Sequence, residues 1–304
     1  MKNTKDPGLG SKFIKPVRRM VNEDGSYNII RKGGVSGIKD FYKFLIDLHW
    51  FWFSLILIGS FLFLNLIFTA CYLMIGIETI AGNYPELSPF ENAFFFSAQT
   101  FTTVGYGALH PKGALTNYIA MAESFLGLLS FAIATGLLWG RFSKPSLKIA
   151  FSKNIIITPH EDSTAVMFKM VNQRKNVLLN TTIKCIFIID KGTGQMAFNK
   201  DYSELKLETD QVNFFPLTWT LVHKITEDSP LYNITFNELV TRHAEVILLV
   251  ETFDETFSQT ILQKHSYACE QWLENVKFER NFESNERGHI ELNVQDINRY
   301  SSIN

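Results

Sequence analysis

The sequence predicts a membrane-embedded helical domain followed by a soluble β domain. Two stretches before residue 143, residues 50–77 and 114–139, are strongly apolar and contain a single charged residue, Glu123. Each exceeds the ~20 residues that an apolar helix needs to cross a bilayer. After residue 143, the apolar residues occur in short β-type runs separated by turns. A chain of 304 residues is long enough for both domains.

Composition excludes several classes of function. The net charge is −1 at pH 7, so no basic surface for nucleic acid is expected. The three cysteines are far apart and follow neither a disulfide framework nor metal-ligand spacing. The histidines are scattered, and there is no H-E-x-x-H motif, no G-x-S-x-G motif and no phosphate loop. We therefore expect no enzyme activity, no cofactor and no nucleic-acid partner.

The first 49 residues are expected to lie in the cytoplasm and at the membrane surface. Residues 1–37 form a basic cytoplasmic arm that lacks the apolar core of a signal peptide. Between residues 38 and 49, apolar side chains recur at helical spacing, at Ile38, Phe41, Tyr42 and Leu45. This pattern predicts an amphipathic helix in the membrane interface. The alternative is that this helix extends the first membrane span into the cytoplasm.

The membrane domain is predicted to cover residues 50–142. It contains a first span at 50–77, a short aromatic pore helix at 89–101, a glycine-containing strand at 102–107 and a second span at 114–142. Basic residues lie in the arm before the first span and, after the second span, at Arg141, Lys144 and Lys148. They place the start of the first span and the end of the second span in the cytoplasm. The segment between the spans then enters the membrane from outside and returns. Irregular backbone at that depth must be buried in protein or line water, which predicts assembly around a shared axis.

The strand reads Thr102-Thr103-Val104-Gly105-Tyr106-Gly107. Successive carbonyls can point the same way only if some residues adopt positive φ, which glycine does at little steric cost. Rings of such carbonyls replace the water shell of a potassium ion. The TVGYG sequence at 103–107 resembles the selectivity filter of potassium channels. That resemblance implies potassium ions bound at Thr102, Thr103, Val104, Gly105 and Tyr106.

The soluble half narrows the resemblance. Asp228-Ser229-Pro230-Leu231-Tyr232 and Arg141-Phe142-Ser143-Lys144-Pro145 resemble segments of inward-rectifier potassium channels, and the short outer loop resembles the prokaryotic, KirBac-type branch. The resemblance implies a homotetrameric, potassium-selective channel with passive conduction. It also implies an integral protein of the bacterial inner membrane, with both termini cytoplasmic. Barium, magnesium or polyamines are the blockers that it implies.

Residues 143–304 are predicted to form an immunoglobulin-like β-sandwich. Short β-type runs recur along this half, at 155–158, 166–171, 183–189, 217–222, 246–250 and 276–282. One short helix is expected around 236–242. By resemblance, the loop at 251–257 constricts a cytoplasmic vestibule, with candidate acidic side chains at Glu251, Asp254 and Glu255. For Asp254 and Glu255 a plain solvated surface is the alternative.

The second span carries the other candidate site residues. Phe131, Thr135 and either Leu138 or Trp139 share one helix face, which predicts a hydrophobic gate near the cytoplasmic end; the alternative is packing against the first span. Glu123 is expected behind the filter, which it would support together with Gln99. Gly127 and Gly136 are candidate flex points, or small residues for close packing.

Regulation is inferred from the resemblance and from charge. In strongly rectifying relatives an acidic residue stands where this chain has Phe131, so weak rectification is expected. Arg141, Lys144 and Lys148 are candidate ligands for anionic phospholipid; the alternative is that they only set membrane topology.

Other functions fit less well. Tyr106 argues against a non-selective pore, and the absence of an Arg-repeat helix argues against voltage gating. No G-x-G-x-x-G motif follows a strand, as a nucleotide-gated channel would require. A membrane-anchored ligand-binding receptor with a vestigial pore is the remaining alternative.

Overall fold

The protein is described from a computed structural model. The structure describes residues 6–13, 17, 19–33, 37–144, 147–192 and 199–303. The chain divides into two compact units. One is helical and covers Gly33–Lys144, and the other contains Met1–Lys32 together with Pro145–Asn304.

The helical unit contains two helices that are long and apolar enough to cross a membrane, α2 and α4. Much of the surface of both helices is exposed, as expected for helices surrounded by lipid rather than by a protein core. A shorter helix precedes them and another lies between them. Two two-residue strands pair the segment after α2 with the segment before α4. The elements are α1 (Ile38–Asp47), α2 (Trp50–Ile75), β1 (Ile80–Ala81), α3 (Pro89–Phe101), β2 (His110–Pro111) and α4 (Ala114–Phe142).

Local sequence explains where α3 begins. Ser88 caps the helix by accepting a hydrogen bond from the Glu91 backbone N–H, and the Glu91 carboxylate accepts from the Ser88 backbone N–H. Pro89 follows at the first helical position, where its missing N–H removes no helical bond. Inside the helix, the buried Asn92 side chain donates to the carbonyl of Tyr84 and accepts from its N–H. These bonds fix the turn that leads into α3.

Two glycines let helices approach closely in this unit. A Cβ atom added to Gly127 of α4 would lie 1.9 Å from the Phe101 carbonyl oxygen at the end of α3. A Cβ added to Gly140 would lie 2.6 Å from the Tyr42 hydroxyl of α1. For Gly127, close packing is therefore the interpretation that the structure supports. A Cβ at Gly136 would meet nothing within 4 Å in this chain.

The second unit is a β-sandwich built from two five-stranded sheets, as the sequence predicted. One sheet has the order β11-β10-β6-β7, with β8 also paired to β6, and the other has the order β12-β4-β5-β3, with β9 also paired to β5. All of these pairs are antiparallel except β12 with β4. The strands are β3 (Ile149–Phe151), β4 (Ile155–His160), β5 (Ser163–Asn172), β6 (Leu178–Asp190), β7 (Lys200–Glu204), β8 (Gln211–Phe214), β9 (Trp219–Ile225), β10 (Glu245–Asp254), β11 (Gln259–Ala268) and β12 (Trp272–Glu274).

Alternate residues of the strands supply the core between the sheets. Phe168 of β5, Phe187 of β6 and Leu248 of β10 are fully or almost fully buried there. The hydroxyl groups of Ser152 and Tyr267 lie 3.2 Å apart inside the same core. Helix α5 (Phe236–Thr241) lies where a short helix was expected, and its Leu239 joins the core.

The last predicted strand, at 276–282, is wrong as a single element. Two strands replace it, β13 (Val276–Phe278) and β14 (Phe282–Ser284), and they pair with β16 (Tyr300–Ser302) and β15 (Ile290–Leu292) respectively. The interruption has a physical cause. The buried Lys169 ammonium donates to the Glu279 carbonyl and lies 5.2 Å from the Phe278 ring. At this point the chain leaves its pairing with β16 and continues to its pairing with β15, and the Glu279 carbonyl bonds a side chain rather than a neighbouring strand.

Part of the N-terminal segment packs against the first sheet. Met20 and Val21 are buried in a cluster with Ile188, Tyr202 and Ile247. His265 of β11 donates from Nδ1 to the Glu23 carbonyl at 2.9 Å, because a carbonyl oxygen can only accept. The His265 ring is stacked on Phe151, with 4.4 Å between ring centroids. No pattern in the basic N-terminal arm predicted this packing.

The close approach at Gly127 generates a stability prediction. Gly127→Ala should force α3 and α4 apart and lower the stability of the helical unit by about 1–3 kcal/mol, because the new methyl group has no space. Gly136→Ala is the matched control, since alanine is favoured over glycine inside a helix by about 1 kcal/mol. Thermal unfolding of the purified protein in detergent measures both. Equal melting temperatures for Gly127→Ala and the unmodified protein would contradict the packing role.

The environment of His265 generates a pH prediction. Burial lowers the pKa of His265 to about 4, below its ordinary value of 6.5. Between pH 6.5 and 4 the unfolded chain therefore binds a proton that the folded chain does not, and the free energy of unfolding falls as the pH falls, by up to about 3 kcal/mol.

The variant His265→Phe keeps a ring against Phe151 and removes this titration. The melting temperature of the unmodified protein minus that of the variant should decrease between pH 7 and pH 4.5. A difference that stays constant over this range would show that His265 does not titrate as described.

Candidate functional site

The strand at 102–107 has an alternating backbone. Thr103, Gly105 and Gly107 have φ angles of 59°, 54° and 83°, whereas Val104 and Tyr106 are not in the positive-φ region. In an ordinary extended strand successive peptide groups face opposite ways. Left-handed residues at every second position rotate alternate peptide groups, which brings successive carbonyls to one side. The positive φ expected at Gly105 and Gly107 is confirmed.

Thr103 was not expected to be left-handed. A β-branched residue in this region is an outlier that costs roughly 1–2 kcal/mol, and such strain concentrates at functional sites. The only signal in the sequence for a left-handed Thr103 was its position, two residues before Gly105 and four before Gly107. Glycine at 103 would remove the strain, so the threonine side chain and its hydroxyl are retained at a cost.

The end of α3 holds the inner part of the strand. The Gln99 carbonyl accepts from the backbone N–H groups of Val104 and Gly105, at 3.0 and 3.3 Å. The Thr102 hydroxyl donates to the Ala98 carbonyl at 2.7 Å. The Gln99 side chain reaches across the strand to the Leu109 carbonyl through Nε2, at 3.4 Å. Gln99 therefore contacts the middle of the strand and the segment that follows it. Its role as a support of the filter stays a prediction.

The outer part of the strand is open in a single chain. Tyr106 is 83% exposed, and residues 102–107 are all exposed. Within the described part of one chain, little of the Tyr106 side chain is therefore covered. Within the described residues, a single chain thus leaves the whole strand uncovered.

Glu123 joins three helices behind the strand. Its Oε2 accepts from the Tyr72 hydroxyl of α2 at 2.6 Å, and its Oε1 accepts from the Ser97 hydroxyl of α3. Asn65 of α2 lies against Ser97, with 3.1 Å between Asn65 Oδ1 and Ser97 Oγ. All four side chains are buried. The sequence indicated Glu123 but missed Tyr72 and Ser97, which carry no motif and were visible only as polar groups within apolar segments.

Comparison with known proteins adds independent information. A family model for the inward rectifier potassium channel C-terminal domain matches residues 149–304, and an ion channel model matches residues 52–144. The inward rectifier potassium channel Kirbac3.1 of Paramagnetospirillum magnetotacticum is 31% identical over 255 residues, which is 83% of this chain and 85% of that protein. The chain belongs to the inward-rectifier potassium channel family.

Family membership gives the broad function. The protein is a membrane-embedded potassium channel and not an enzyme, it needs no cofactor, and potassium is the permeant ion. Two solved structures share weak similarity with the channel. AvmM, which catalyses macrocyclization in alchivemycin A biosynthesis, is 11% identical with a TM-score of 0.22 over 41% of this chain and 89% of its own. The DNA glycosylase AlkC of Pseudomonas fluorescens is 6% identical with a TM-score of 0.20 over 60% and 48%. Such low TM-scores carry no argument about the channel.

The predicted gate residues divide between two environments. Phe131 and Trp139 are about three-quarters exposed, at 73% and 74%, and Thr135 is exposed on the same face of α4. Leu138 instead packs against a buried cluster of Leu45, Phe53 and Leu137. Of the two residues considered for the third gate position, Trp139 is the one on the open face.

Arg141 is bound to protein groups. Its guanidinium donates to the carbonyls of Leu45, Ile46 and Leu48 at 2.7–2.8 Å. These carbonyls lie at the C-terminal end of α1, where helical carbonyls lack partners and a positive charge is favourable. The guanidinium also lies 4.5 Å from the Trp50 ring centroid. Arg141 thus fastens α1 to the end of α4, a role that its position in the sequence did not reveal.

The other basic candidates are more accessible. Lys144 is paired with Asp47 of α1, and its side chain is 55% exposed. Lys148 is exposed, and its own carbonyl accepts from the Gln173 N–H. Of the three predicted lipid ligands, Lys144 and Lys148 are the two with exposed side chains, Lys144 in the helical unit and Lys148 in the β unit.

The acidic candidates at 251–255 also divide. Glu251 and Glu255 are exposed, but Asp254 is fully buried. Its Oδ1 accepts from the Thr256 N–H at 2.9 Å, and its Oδ2 accepts from the Asn176 side chain at 2.6 Å. Asp254 therefore stabilises the turn between β10 and β11. The expectation that Asp254 presents a charge to a vestibule is wrong, because its oxygens are already used inside the protein.

One cluster in the β domain has the composition of a metal site. His160, Glu161 and Glu208 have ligand atoms within 4.8 Å of one another. The Lys224 ammonium pairs with both carboxylates, and this pairing lowers the pKa of Glu161. A cation is thus already supplied by the chain, and the cluster is a surface ion-pair network.

His223 belongs to the segment around Asp228–Tyr232 that carried the family resemblance. One ring nitrogen contacts the Lys206 carbonyl at 2.7 Å, and the other contacts the Ser229 hydroxyl at 2.8 Å. Burial lowers the pKa of His223, so the ring is neutral and donates only from Nδ1. The histidine thus holds the Lys206 carbonyl and the Ser229 hydroxyl close together.

Proposed function

We propose that four copies of the channel assemble around one axis and conduct potassium through the ring of carbonyls at 102–106. The alternating backbone at Thr103, Gly105 and Gly107 is the observation that carries this proposal. Four such rows replace the hydration shell of the ion. The exposure of the whole strand in one chain supports assembly, because an unpaired carbonyl row at membrane depth requires surrounding protein or water.

In the proposed orientation, the channel spans a bacterial inner membrane and both termini lie on its cytoplasmic side. Basic residues support it, because Arg141 and Lys144 follow the end of α4 and the first 37 residues are also basic. The relative with 31% identity comes from a bacterium. The segment between α2 and α4 then faces the outside.

Filter support is proposed for Glu123 and Gln99. Glu123 accepts hydrogen bonds from α2 and α3, so it limits relative movement of the helix that carries the strand. Gln99 holds two filter N–H groups through its carbonyl. Together they resist collapse of the carbonyl row when ions leave. The two backbone bonds from Gln99 act on the strand directly, and Glu123 acts through α3.

Phe131, Thr135 and Trp139 are proposed to form the gate. They share the exposed face of α4, and bulky rings on a pore axis exclude water when they approach each other. Phe131 also leaves this face without a carboxylate to attract polyamines or magnesium, so rectification is weak. Glu251 and Glu255 remain as vestibule charges for residual block.

Anionic phospholipid is proposed to modulate the gate through Lys144 and Lys148. Each exposed lysine near an anionic surface contributes about 1 kcal/mol. Arg141 acts differently in this proposal, because its donors are bound to α1 carbonyls. It transmits movement of α1 to the end of α4.

Ion uptake into liposomes tests the proposed conduction. The purified channel should take up radioactive rubidium in a barium-sensitive manner. Gly105→Ala should abolish uptake, because alanine strains the left-handed backbone and prevents the carbonyl alignment. Gly288→Ala is the matched control, since Gly288 is also left-handed with open space around it but lies in the β domain.

Absence of barium-sensitive uptake in the unmodified channel would contradict conduction and favour the receptor with a vestigial pore.

The same uptake assay tests the gate. Trp139→Ala should increase uptake several-fold, and unchanged uptake would remove Trp139 from the gate.

Lipid modulation is tested by varying the anionic lipid fraction of the liposomes. The double variant Lys144→Gln/Lys148→Gln should need a several-fold higher anionic fraction for the same change in uptake, whereas Lys277→Gln, an exposed lysine of β13, should behave as the unmodified channel. Arg141→Gln should alter uptake at every lipid composition. A lipid response that is identical in the double variant and the unmodified channel would contradict headgroup binding at these lysines.

A further inference from the structure

The segment that follows the filter strand is paired with the loop that follows α2. The Lys112 N–H donates to the Thr79 carbonyl at 2.7 Å. From there the antiparallel pair of β1 and β2 continues the pairing as far as Ala81 and His110. The chain that leaves the filter is therefore held by a second backbone segment before α4 begins.

Gly82 brings the same loop closest to the filter. Its φ angle is 77°, and a Cβ atom at this position would lie 1.8 Å from the Ala108 carbonyl oxygen. Ala108 directly follows Gly107, the last left-handed residue of the filter strand. Only glycine satisfies both the backbone angle and the space at position 82. We call the contacts of residues 79–82 with residues 108–112 the outer clamp.

Both sides of the outer clamp are anchored in the core of the helical unit. Ile80 from the loop and Leu109 from the segment after the filter are buried in one hydrophobic cluster, together with Tyr72 of α2, Phe96 of α3 and Ala120 of α4. Separating the two sides of the clamp would expose this apolar surface, which is unfavourable.

The loop itself is fixed at both ends. At its start, the Gly76 N–H donates to the Tyr72 carbonyl at 3.1 Å, and the Thr79 hydroxyl donates to the Gly76 carbonyl at 2.7 Å. At its end, the backbone N–H and carbonyl of Tyr84 both bond to the Asn92 side chain. The loop is thus attached to α2 and to α3, and it presents the outer clamp from a defined position.

The outer half of the filter strand has little other support within one chain. The Gln99 carbonyl accepts from Val104 and Gly105, but among the described residues no backbone hydrogen bond from α3 reaches Tyr106 or Gly107. The position of these two residues therefore depends on the chain that follows them. Carbonyl groups that face the same side repel each other when no cation lies between them, so the strand needs this support most when ions leave.

We propose that the outer clamp, with Gly82 as its positioning residue, keeps the outer end of the filter in its conducting shape when potassium is scarce. The inference rests on the proposed conduction through residues 102–106. It adds a support that acts on the chain after the strand, whereas Gln99 and Glu123 act from behind it. The clamp consists of backbone contacts made by a loop that carries no sequence motif.

Rubidium uptake after a potassium-free incubation tests the outer clamp. Liposomes with the full-length channel are kept either in potassium or in a potassium-free N-methylglucamine buffer, and barium-sensitive uptake is then measured in both samples. Gly82→Ala should lose several-fold more uptake than the unmodified channel in the potassium-free sample, because the new methyl group displaces the Ala108 carbonyl. Gly113→Ala is the matched control, since Gly113 is also left-handed, at 84°, and a Cβ there would meet nothing within 4 Å.

Two variants of Lys112 form an independent pair. Both Lys112→Pro and Lys112→Ala remove the exposed lysine side chain, but only proline removes the N–H that bonds to the Thr79 carbonyl. We expect Lys112→Pro to lose uptake in the potassium-free sample as Gly82→Ala does, and Lys112→Ala to behave as the unmodified channel. A fall in uptake that is the same in both buffers is what damage to the fold alone produces, and it would overturn the proposal.

Hydrogen exchange of the unmodified channel tests the clamp without any substitution. The Lys112 amide should exchange slowly both with and without potassium, because its bond to the Thr79 carbonyl stays closed when ions leave. Mass spectrometry of peptides that contain residues 110–113 measures this exchange. Fast exchange of the Lys112 amide in potassium-free buffer would overturn the proposal.

Failure of the clamp and failure of the proposed conduction give different results. An unmodified channel without barium-sensitive uptake in potassium would contradict the proposed conduction and the role of the clamp together. Uptake that is present, and that survives the potassium-free incubation equally in Gly82→Ala, Lys112→Pro and the unmodified channel, would contradict the clamp alone.

Discussion

The structure depends on a backbone constraint at residues 102–107. Carbonyl oxygens can replace water around an ion only if successive peptide groups face the same side, and an extended chain does not do this by itself. Left-handed residues at 103, 105 and 107 meet the requirement. Three positions two residues apart must satisfy this constraint; the first is Thr103, and the other two are Gly105 and Gly107. The strain at Thr103 has to be supported by the surrounding helices.

That support is built in layers around the strand. The Gln99 carbonyl accepts from two filter amides, and the Ser97 hydroxyl, two residues earlier in α3, donates to Glu123. Glu123 also binds Tyr72, which brings α2 into the same network. At Gly127 the backbone of α4 approaches the Phe101 carbonyl directly. Two residues of α4 thus position α3. Glu123 accepts a hydrogen bond from it, and Gly127 has no side chain to keep the two helices apart.

Local patterns were sufficient to predict much of this architecture. The two apolar runs and the aromatic segment at 89–101 predicted α2, α3 and α4, and the bounds of α3 and α4 agree with those expected. Alternating apolar runs predicted the sandwich, and the glycines of the filter predicted positive φ. Each of these features depends on residues close together in sequence, where helix caps, hydropathy and steric freedom act directly.

Long-range contacts were not predictable in the same way. Arg141 and Asp254 looked like surface charges, yet the two Nη atoms of Arg141 donate to α1 carbonyls, and the Asp254 oxygens accept from the Thr256 N–H and the Asn176 side chain. The docking of Met20 and Val21 on Glu245 depends on a register between segments more than 220 residues apart. Lys169 likewise interrupts the strand expected at 276–282. In each case a charged side chain changes role because folding brings it to unpaired backbone groups.

The central claim is that the alternating strand binds dehydrated potassium-like ions on the axis of a tetramer. Anomalous diffraction from crystals of the channel grown in rubidium measures this directly. The account predicts a column of rubidium peaks on a fourfold axis, level with the carbonyls of residues 102–106. A fourfold assembly without peaks at that level, or an assembly in which these carbonyls do not face a shared axis, would contradict it.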